Sequence, residues 1–445
     1  MGRKAQSRAL HIWMNGQLVG TWRTPARGPT ELLYDDHWVS SAEGRPLSLS
    51  LPFRFDSKPH VGPAVEAHFD NLLPDTEQIR KRLAARFGTD TDPFDLLAAI
   101  GRDCAGAVQL MAEGEKPEAV DVVRGDPLDE EGVARMLRSA ANPSASRQGD
   151  DDDLFRLSLA GAQEKTALLR HENQWLLPHG TTPTTHIFKL PLGLAGNRQA
   201  NMTSSVENEW LCAQILGAYG MPVAHCEIAR FADQKALVVT RFDRRLRPDG
   251  RSWLRLPQED FCQVFGIPSH KKYEADGGPG LEQISRILYN SVNSRRDLQT
   301  VFTAQLLFWM LAAGDGHAKN FSIRNLAGGR YELTPLYDVL SYWPIIGDGP
   351  RQISPHKAKL AMAVWGKNRH YALRTITRRH FNTMAPICLQ EPTAEPLIVR
   401  IIERTPQVIA TVRRDLPANF PERVADRVLG GLRSSAERLA AMPTA

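Results

Sequence analysis

The sequence predicts an α+β fold in which a small leading α+β unit precedes two lobes, one rich in strands and one mainly helical. Three observations point there. Residues 1–115 alternate short strand and helix patterns between strong turn signals. Residues 116–255 place apolar strand patterns around a single long helix pattern. Residues 256–445 are dominated by helical patterns, one of which runs into a loop rich in acid and amide side chains.

The chain of 445 residues is long enough for several cores, and its 42% hydrophobic and 24% charged residues exclude wholesale disorder. Its net charge of +5 permits a polyanionic partner without arguing for one. The basic start lacks the apolar run of a signal peptide, and no stretch of about 18 apolar residues predicts a membrane span. Cys104, Cys212, Cys226, Cys262 and Cys388 are scattered and odd in number, without a Cys-x-x-Cys pair. Neither a zinc site nor a disulfide framework is expected, which points to the cytoplasm.

In chain order, residues 11–22 read as a hairpin turning at Asn15-Gly16. Pro46–Pro52 alternates as a strand with Leu47, Leu49 and Leu51 on one face. Helices are expected from Pro74-Asp75 to Gly88 and from Asp92-Pro93 onward, with a returning strand over 106–111. This leading unit shows no catalytic constellation and reads as a scaffold or docking subdomain. Residues 113–153 turn polar, and the acidic run ending at Asp153 reads as a solvated loop.

Phe155–Leu159 and Thr166–Arg170 alternate as strands around the small-residue loop Ala160, Gly161, Ala162, Gln163, Glu164 and Lys165. Such a loop can lay backbone N–H groups over phosphates, flanked by Ser158 and Lys165. Its one glycine matches neither of the common glycine-rich phosphate motifs. Lys189 lies inside the apolar strand 185–191, where an unpaired ammonium is costly, so an anionic partner is expected. The helix pattern 205–220 offers Glu207 and Glu209, and periodicity leaves the choice between them open. The apolar strand 235–243 runs into a polar segment, suited to an interlobe hinge beside an adenine ring.

A helix is expected to start at Pro257-Gln258-Glu259, and Tyr273–Gly280 reads as an exposed flexible loop. The buried helix pattern 301–313 breaks at Gly314-Asp315-Gly316, placing Asp315 on a tight loop. Asn320 follows five residues later, then a strand pair around 321–323 and 331–333, then Asp338. Asp, Asn and Asp in that order are the acids of kinase-type phosphoryl transfer, the first facing the substrate hydroxyl and the others holding Mg²⁺ with hard oxygen ligands. From Ile353 onward helical patterns dominate, including 422–442. Phosphate loop, strand lysine, helix glutamate, hinge and the three acid-loop residues form the order of a bilobal protein-kinase-like fold, here with an extra N-terminal α+β subdomain and a mainly helical C-terminal lobe.

Seven blocks sharpen this: FRLSLAGAQEKTALL, TTPTTHIFKLP, RFDRR, RLPQEDFCQ, KYEADGGPG, GDGHAKNFS and LTPLYDV. With PLSLSLP, FDNLLPD and FDLLAAIGRD in the leading unit, they resemble, nearly end to end, the HipA family of kinase toxins from HipBA toxin–antitoxin pairs. The resemblance implies a Ser/Thr protein kinase that arrests growth by phosphorylating an aminoacyl-tRNA synthetase. It implies autophosphorylation at Ser158, which ejects the phosphate loop and silences the enzyme. By the same matching Lys189 binds ATP phosphate, Asp315 accepts the hydroxyl proton, and Asn320 and Asp338 hold Mg²⁺. The family's Asn-Glu pair falls on Asn208-Glu209, favouring Glu209. His317 stands where other kinases place a cation near the transferred phosphate, with Lys319 also on the nucleotide side. The resemblance also implies a hinge at Thr240, Arg241 and Phe242, where Thr240 replaces an expected acidic residue. The implied partner is a small helix-turn-helix antitoxin dimer that binds operator DNA; the basic cluster Lys367, Arg369, Arg374, Arg378 and Arg379 reads as solvated surface that such DNA could reach. Two other readings remain to be weighed: a pseudokinase co-repressor, against which the filled lysine and acid positions count, and a kinase-fold nucleotidyltransferase that passes AMP.

Overall fold

The computed structural model describes residues 7–54, 56–141, 161, 163–195 and 200–444. The acidic run before Asp153, the strand at 155–159, Ser158, Ala160 and Ala162 lie outside the described residues.

The leading unit is an antiparallel sheet ordered His60–Val61, Glu31–Tyr34, Gln17–Thr24, Arg8–Met14, Gln109–Ala112. The hairpin turns at Asn15-Gly16, both at positive φ, as the twist of paired strands demands. Helices Pro63–Asp70, Glu77–Phe87 and Pro93–Ile100 cover it. Two have legible ends: Gly88 closes the second in the left-handed region, and the Asp92 side chain caps the third at the Phe94 N–H. Trp22 stacks on Phe69 at 3.9 Å in the middle of the core.

The second sheet is ordered Cys226–Phe231, Gln234–Thr240, His186–Lys189, Lys165–His171, Gln174–Pro178, Gly125–Leu128. Strand parity sorts its two faces. Ala236, Val238, Phe188 and Leu168 pack on one side against helix Glu130–Ala141, while Leu237 packs on the other against helix Ser205–Ala218. The same parity turns Ile187 and Lys189 into the cleft. The third body is built on helix Ser294–Met310, whose residues from Leu298 to Met310 are buried except Gln299, packed among helices Leu281–Leu288, Arg378–Cys388, Glu395–Arg414 and Glu422–Ala441.

Several local expectations are corrected. Pro46–Pro52 is not a strand: Glu259 and Gln263 take its polar groups, with Glu259 Oε1 accepting from the Leu49 N–H at 3.0 Å and the Gln263 carbonyl from Ser50 Oγ at 2.7 Å. The helix expected at Pro257 is a strand, Gln258–Asp260, and the helix starts at Phe261 behind an Asp260–Gln263 capping box. The polar stretch after Glu113 holds helix Glu130–Ala141, whose apolar face covers the second sheet. The helical region after Ile353 contains a hairpin, Lys359–Trp365 with Arg369–Ala372. Within the basic cluster, Arg378 is buried on Glu395 and Arg369 pairs with Glu274, so it is not one solvated cationic surface.

Candidate active site

A cleft of about 250 Å³ opens where the three bodies meet. Lys189, 8% exposed on its strand, donates to Glu209 Oε1 at 2.6 Å and to Asp338 Oδ1 at 2.7 Å. The tertiary structure thus selects Glu209 over Glu207, which pairs instead with Lys235. Burial opposes the charge on Lys189, but Asp338 and Glu209 outweigh it and hold the ammonium above the ordinary lysine range. Burial pushes the Glu209 carboxyl up to about 7 despite Lys189 beside it. Asp338, more open to the cleft, is held ionised: burial works against its charge, yet Lys189 brings it down to about 2. Lys165 lies directly across the strand pair from Lys189. Burial, then the Lys189 charge, lowers it to about 8.

Opposite this pair, helix Ser294–Met310 ends and the chain turns through Asp315, whose carboxylate is half-exposed. Its Oδ1 accepts from the Tyr273 hydroxyl at 2.6 Å. The Asn320 amide nitrogen donates to the Asp315 carbonyl at 3.0 Å and the Asp338 carbonyl at 3.3 Å. That commits its donors and leaves the amide oxygen as an acceptor. Asp338 itself sits at φ 60°, a strained backbone position for a residue with a Cβ and one typical of functional sites. An oriented amide oxygen and an ionised carboxylate form a hard donor pair that fits a divalent cation.

Other predicted site residues are placed differently. His317 is buried against the edge of Tyr273, and burial lowers it to about 4. Burial thus favours the uncharged ring over the cation that the resemblance implies there. Lys319 points at the leading unit, 2.9 Å from Asn71 Oδ1 and 3.0 Å from Asp75 Oδ1. At the hinge, the Thr240 and Arg241 N–H groups donate to the His225 and Thr185 carbonyls at 2.8 and 2.9 Å. The Arg241 guanidinium is buried on Asp243 and Asp103, which commits its charge, and Phe242 lines the cleft 5.6 Å from the Tyr337 ring. Gly161, Gln163 and Lys165 of the phosphate loop also line the cleft, and Glu164 pairs with Arg82 of the leading unit.

Sequence reasoning missed Tyr273, Lys272 and Asp75. The loop read as flexible is anchored: Glu274 is buried and accepts from the Ala363 N–H at 2.6 Å. The KYEADGGPG and FDNLLPD blocks were visible as blocks, but nothing local in them indicates a neighbour some 40 or 240 positions away in the chain.

A strand lysine bridged by a helix glutamate and an ionised aspartate, in one cleft with an Asp-x4-Asn loop, defines a protein-kinase-type phosphotransferase. Family models agree: residues 157–409 match the HipA-like C-terminal domain and residues 10–111 the HipA N-terminal domain. Y4mE of Sinorhizobium fredii, designated a kinase by inference, is 33% identical over 338 residues, covering 75% of this chain and 77% of that protein. The serine/threonine-protein kinase toxin HipA of Shewanella oneidensis is 26% identical over 428 residues, covering 93% and 91%. The Shewanella oneidensis HipA solved with HipB and operator DNA shares the fold, with a TM-score of 0.76 at 24% identity over 97% of both chains. The chain belongs to the HipA family of serine/threonine-protein kinases. Among the described residues, no helix is long and apolar enough to cross a membrane.

Proposed function

We propose that this chain is a Ser/Thr protein kinase toxin that moves the terminal phosphate of ATP, with Mg²⁺, to a hydroxyl of an aminoacyl-tRNA synthetase and so arrests growth. The observation that carries the reading is the Glu209–Lys189–Asp338 bridge in one cleft with Asp315, Asn320 joining Asp338 to Asp315. Bound Mg-ATP supplies the phosphoryl group and the metal's neutralising charge. Lys189, held charged by two carboxylates, attracts phosphate oxygens. Asn320 and Asp338 would hold the metal, and Asp315 orients the acceptor hydroxyl and takes its proton. The His317 ring packs against Tyr273, whose hydroxyl fixes one oxygen of Asp315. Apolar side chains lining the cleft, Ile187, Val239 and Leu340 among them, suit an adenine ring.

By family likeness we extend the reading to autophosphorylation at Ser158, to a HipB-like helix-turn-helix dimer as antitoxin, to operator DNA reached mainly through it, and to a cytoplasmic setting. The test is mass spectrometry of the purified chain after Mg-ATP, beside Asp315→Gln. One phosphate on Ser158 of the unmodified chain, and none on the variant, is the expected outcome. Asp315→Gln is expected to keep ATP binding within about threefold while transfer falls at least about 1000-fold. Unchanged transfer by the variant overturns the assignment of Asp315. ATP binding without any transfer favours a pseudokinase co-repressor, and an AMP mass favours nucleotidyl transfer.

A further inference from the structure

The leading unit supplies one side of the active-site cleft: Asn71, Leu72 and Asp75 line it together with the kinase residues. Asp75 stands where three separate loops converge. Its carboxylate is 2.8 Å from Lys272 Nζ and 3.0 Å from Lys319 Nζ, with a side-chain exposure of 10%. Its N–H donates to the Gly161 carbonyl at 3.1 Å, and Pro74 forms a β-bridge with Gly161. Lys272 immediately precedes Tyr273, which holds Asp315; Lys319 immediately precedes Asn320; Gly161 belongs to the phosphate loop.

We propose that Asp75 is a positioning residue for phosphoryl transfer, setting the acceptor-side loop, the catalytic loop and the phosphate loop against one another from outside the kinase lobes. The inference rests on the kinase reading above. Two ammonium groups from different loops repel one another in a poorly solvated cleft, and a single carboxylate between them reverses the sign of that interaction. Burial opposes the charge on Asp75, but Lys319 and Lys272 hold its carboxyl well below the usual range, so the bridge persists through the working pH range. Asn71 completes the hold on Lys319 through its side-chain and main-chain oxygens at 2.9 and 3.2 Å. Among the described residues, removing the carboxylate leaves Lys319 with Asn71 and a distant Asp260, 3.8 Å away, and takes from Lys272 its carboxylate partner. The backbone bond to Gly161 survives a side-chain change, so substitution isolates the charge from the docking of the phosphate loop.

The test uses the full chain with Asp75→Ala and Asp75→Asn, and Asp92→Ala as a control. Asp92 caps a helix of the same unit and does not line the cleft. Three quantities are read: transfer kinetics with Mg-ATP, thermal melting, and hydrogen exchange of the segments 271–276 and 315–320. Both Asp75 variants are expected to lower kcat about 100-fold, the cost of a small misplacement of reacting groups, with the ATP KM within about threefold. Exchange in both segments should rise about tenfold. Asp92→Ala should lower the melting temperature and leave kcat and exchange unchanged. Wild-type kcat and exchange in Asp75→Ala overturn the proposal, as does loss of kcat only in proportion to unfolded protein in all three variants. If the unmodified chain transfers no phosphate, the kinase reading fails, and exchange alone still decides whether Asp75 sets these loops.

Discussion

Lys189 and Glu209 show how one charge pair can be both costly and useful. Desolvating the ammonium is expensive, and two carboxylates at hydrogen-bond distance are what keep it charged inside the cleft. Burial without a partner does the opposite. His68 is 1% exposed, both its ring nitrogens lack a hydrogen-bond partner among the described residues, and burial lowers it to about 4. Its ordinary value in the unfolded chain is about 6.5, so the unfolded state binds the extra proton first as pH falls. The stability tied to neutral His68 is complete above about pH 6.5 and lost towards pH 4. Raised carboxyls such as Glu259, which burial lifts to about 7, act in the opposite sense, so the informative quantity is a difference. The stability of the unmodified chain relative to His68→Leu, measured by urea unfolding, should fall by about 2 kcal/mol between pH 7 and pH 5. A difference independent of pH would mean that His68 titrates normally in the folded chain.

The catalytic loop depends on its contact with the helix before it. A Cβ on Gly316 would come within 2.4 Å of the Phe308 ring, which is itself fixed in the core of helix Ser294–Met310. Gly316 is therefore required by close approach, and its φ is not positive. Gly316→Ala should cost about 1–3 kcal/mol in urea unfolding, the usual range for overpacking, and lower transfer by more than the loss of folded protein explains. Equal transfer per folded molecule would show that the loop can shift without consequence. The segment Pro46–Pro52 teaches the converse lesson. Its alternating leucines read as a strand, yet Leu47 and Leu51 are buried in a turn because Glu259 and Gln263 bind the backbone and serines between them.

The leading unit and the strand-rich lobe are joined by a buried ion cluster in which Asp103 of the leading unit meets Arg241, Arg244 and Arg255. Asp243 pairs with Arg241 and Arg244 and also accepts from the Gly106 N–H at 2.7 Å. Burial, then Arg241, lowers Arg244 to about 10, which shows how closely the charges are balanced. Asp103→Ala removes the carboxylate that three guanidinium groups share. Such a loss should destabilise the chain by about 3–5 kcal/mol, read by urea unfolding, and separate the leading unit from the hinge. A change below about 1 kcal/mol would mean that Asp243 alone neutralises the cluster. The cluster ties the leading unit, whose sequence reads as a scaffold or docking subdomain, to the hinge segment.

Local chemistry was readable from the chain alone wherever its cause was local. The Asn15-Gly16 turn, the Asp92 cap, the Gly88 stop and the buried helix before Asp315 follow from backbone preference and apolar spacing. So did the need of Lys189 for an anionic partner, because an apolar strand cannot hold a bare ammonium. The long blocks shared with a family carried the fold, since many matched stretches in one order do not arise by chance. The tertiary structure decided which carboxylate answers Lys189, that burial favours the uncharged His317 ring, and that Lys319 turns to Asn71 and Asp75. It also brought Tyr273 onto Asp315 and the leading unit into the cleft. Pairing energies and desolvation depend on distance in space, and residues separated by 40 to 250 positions in the chain carry no local mark of the neighbour they will meet.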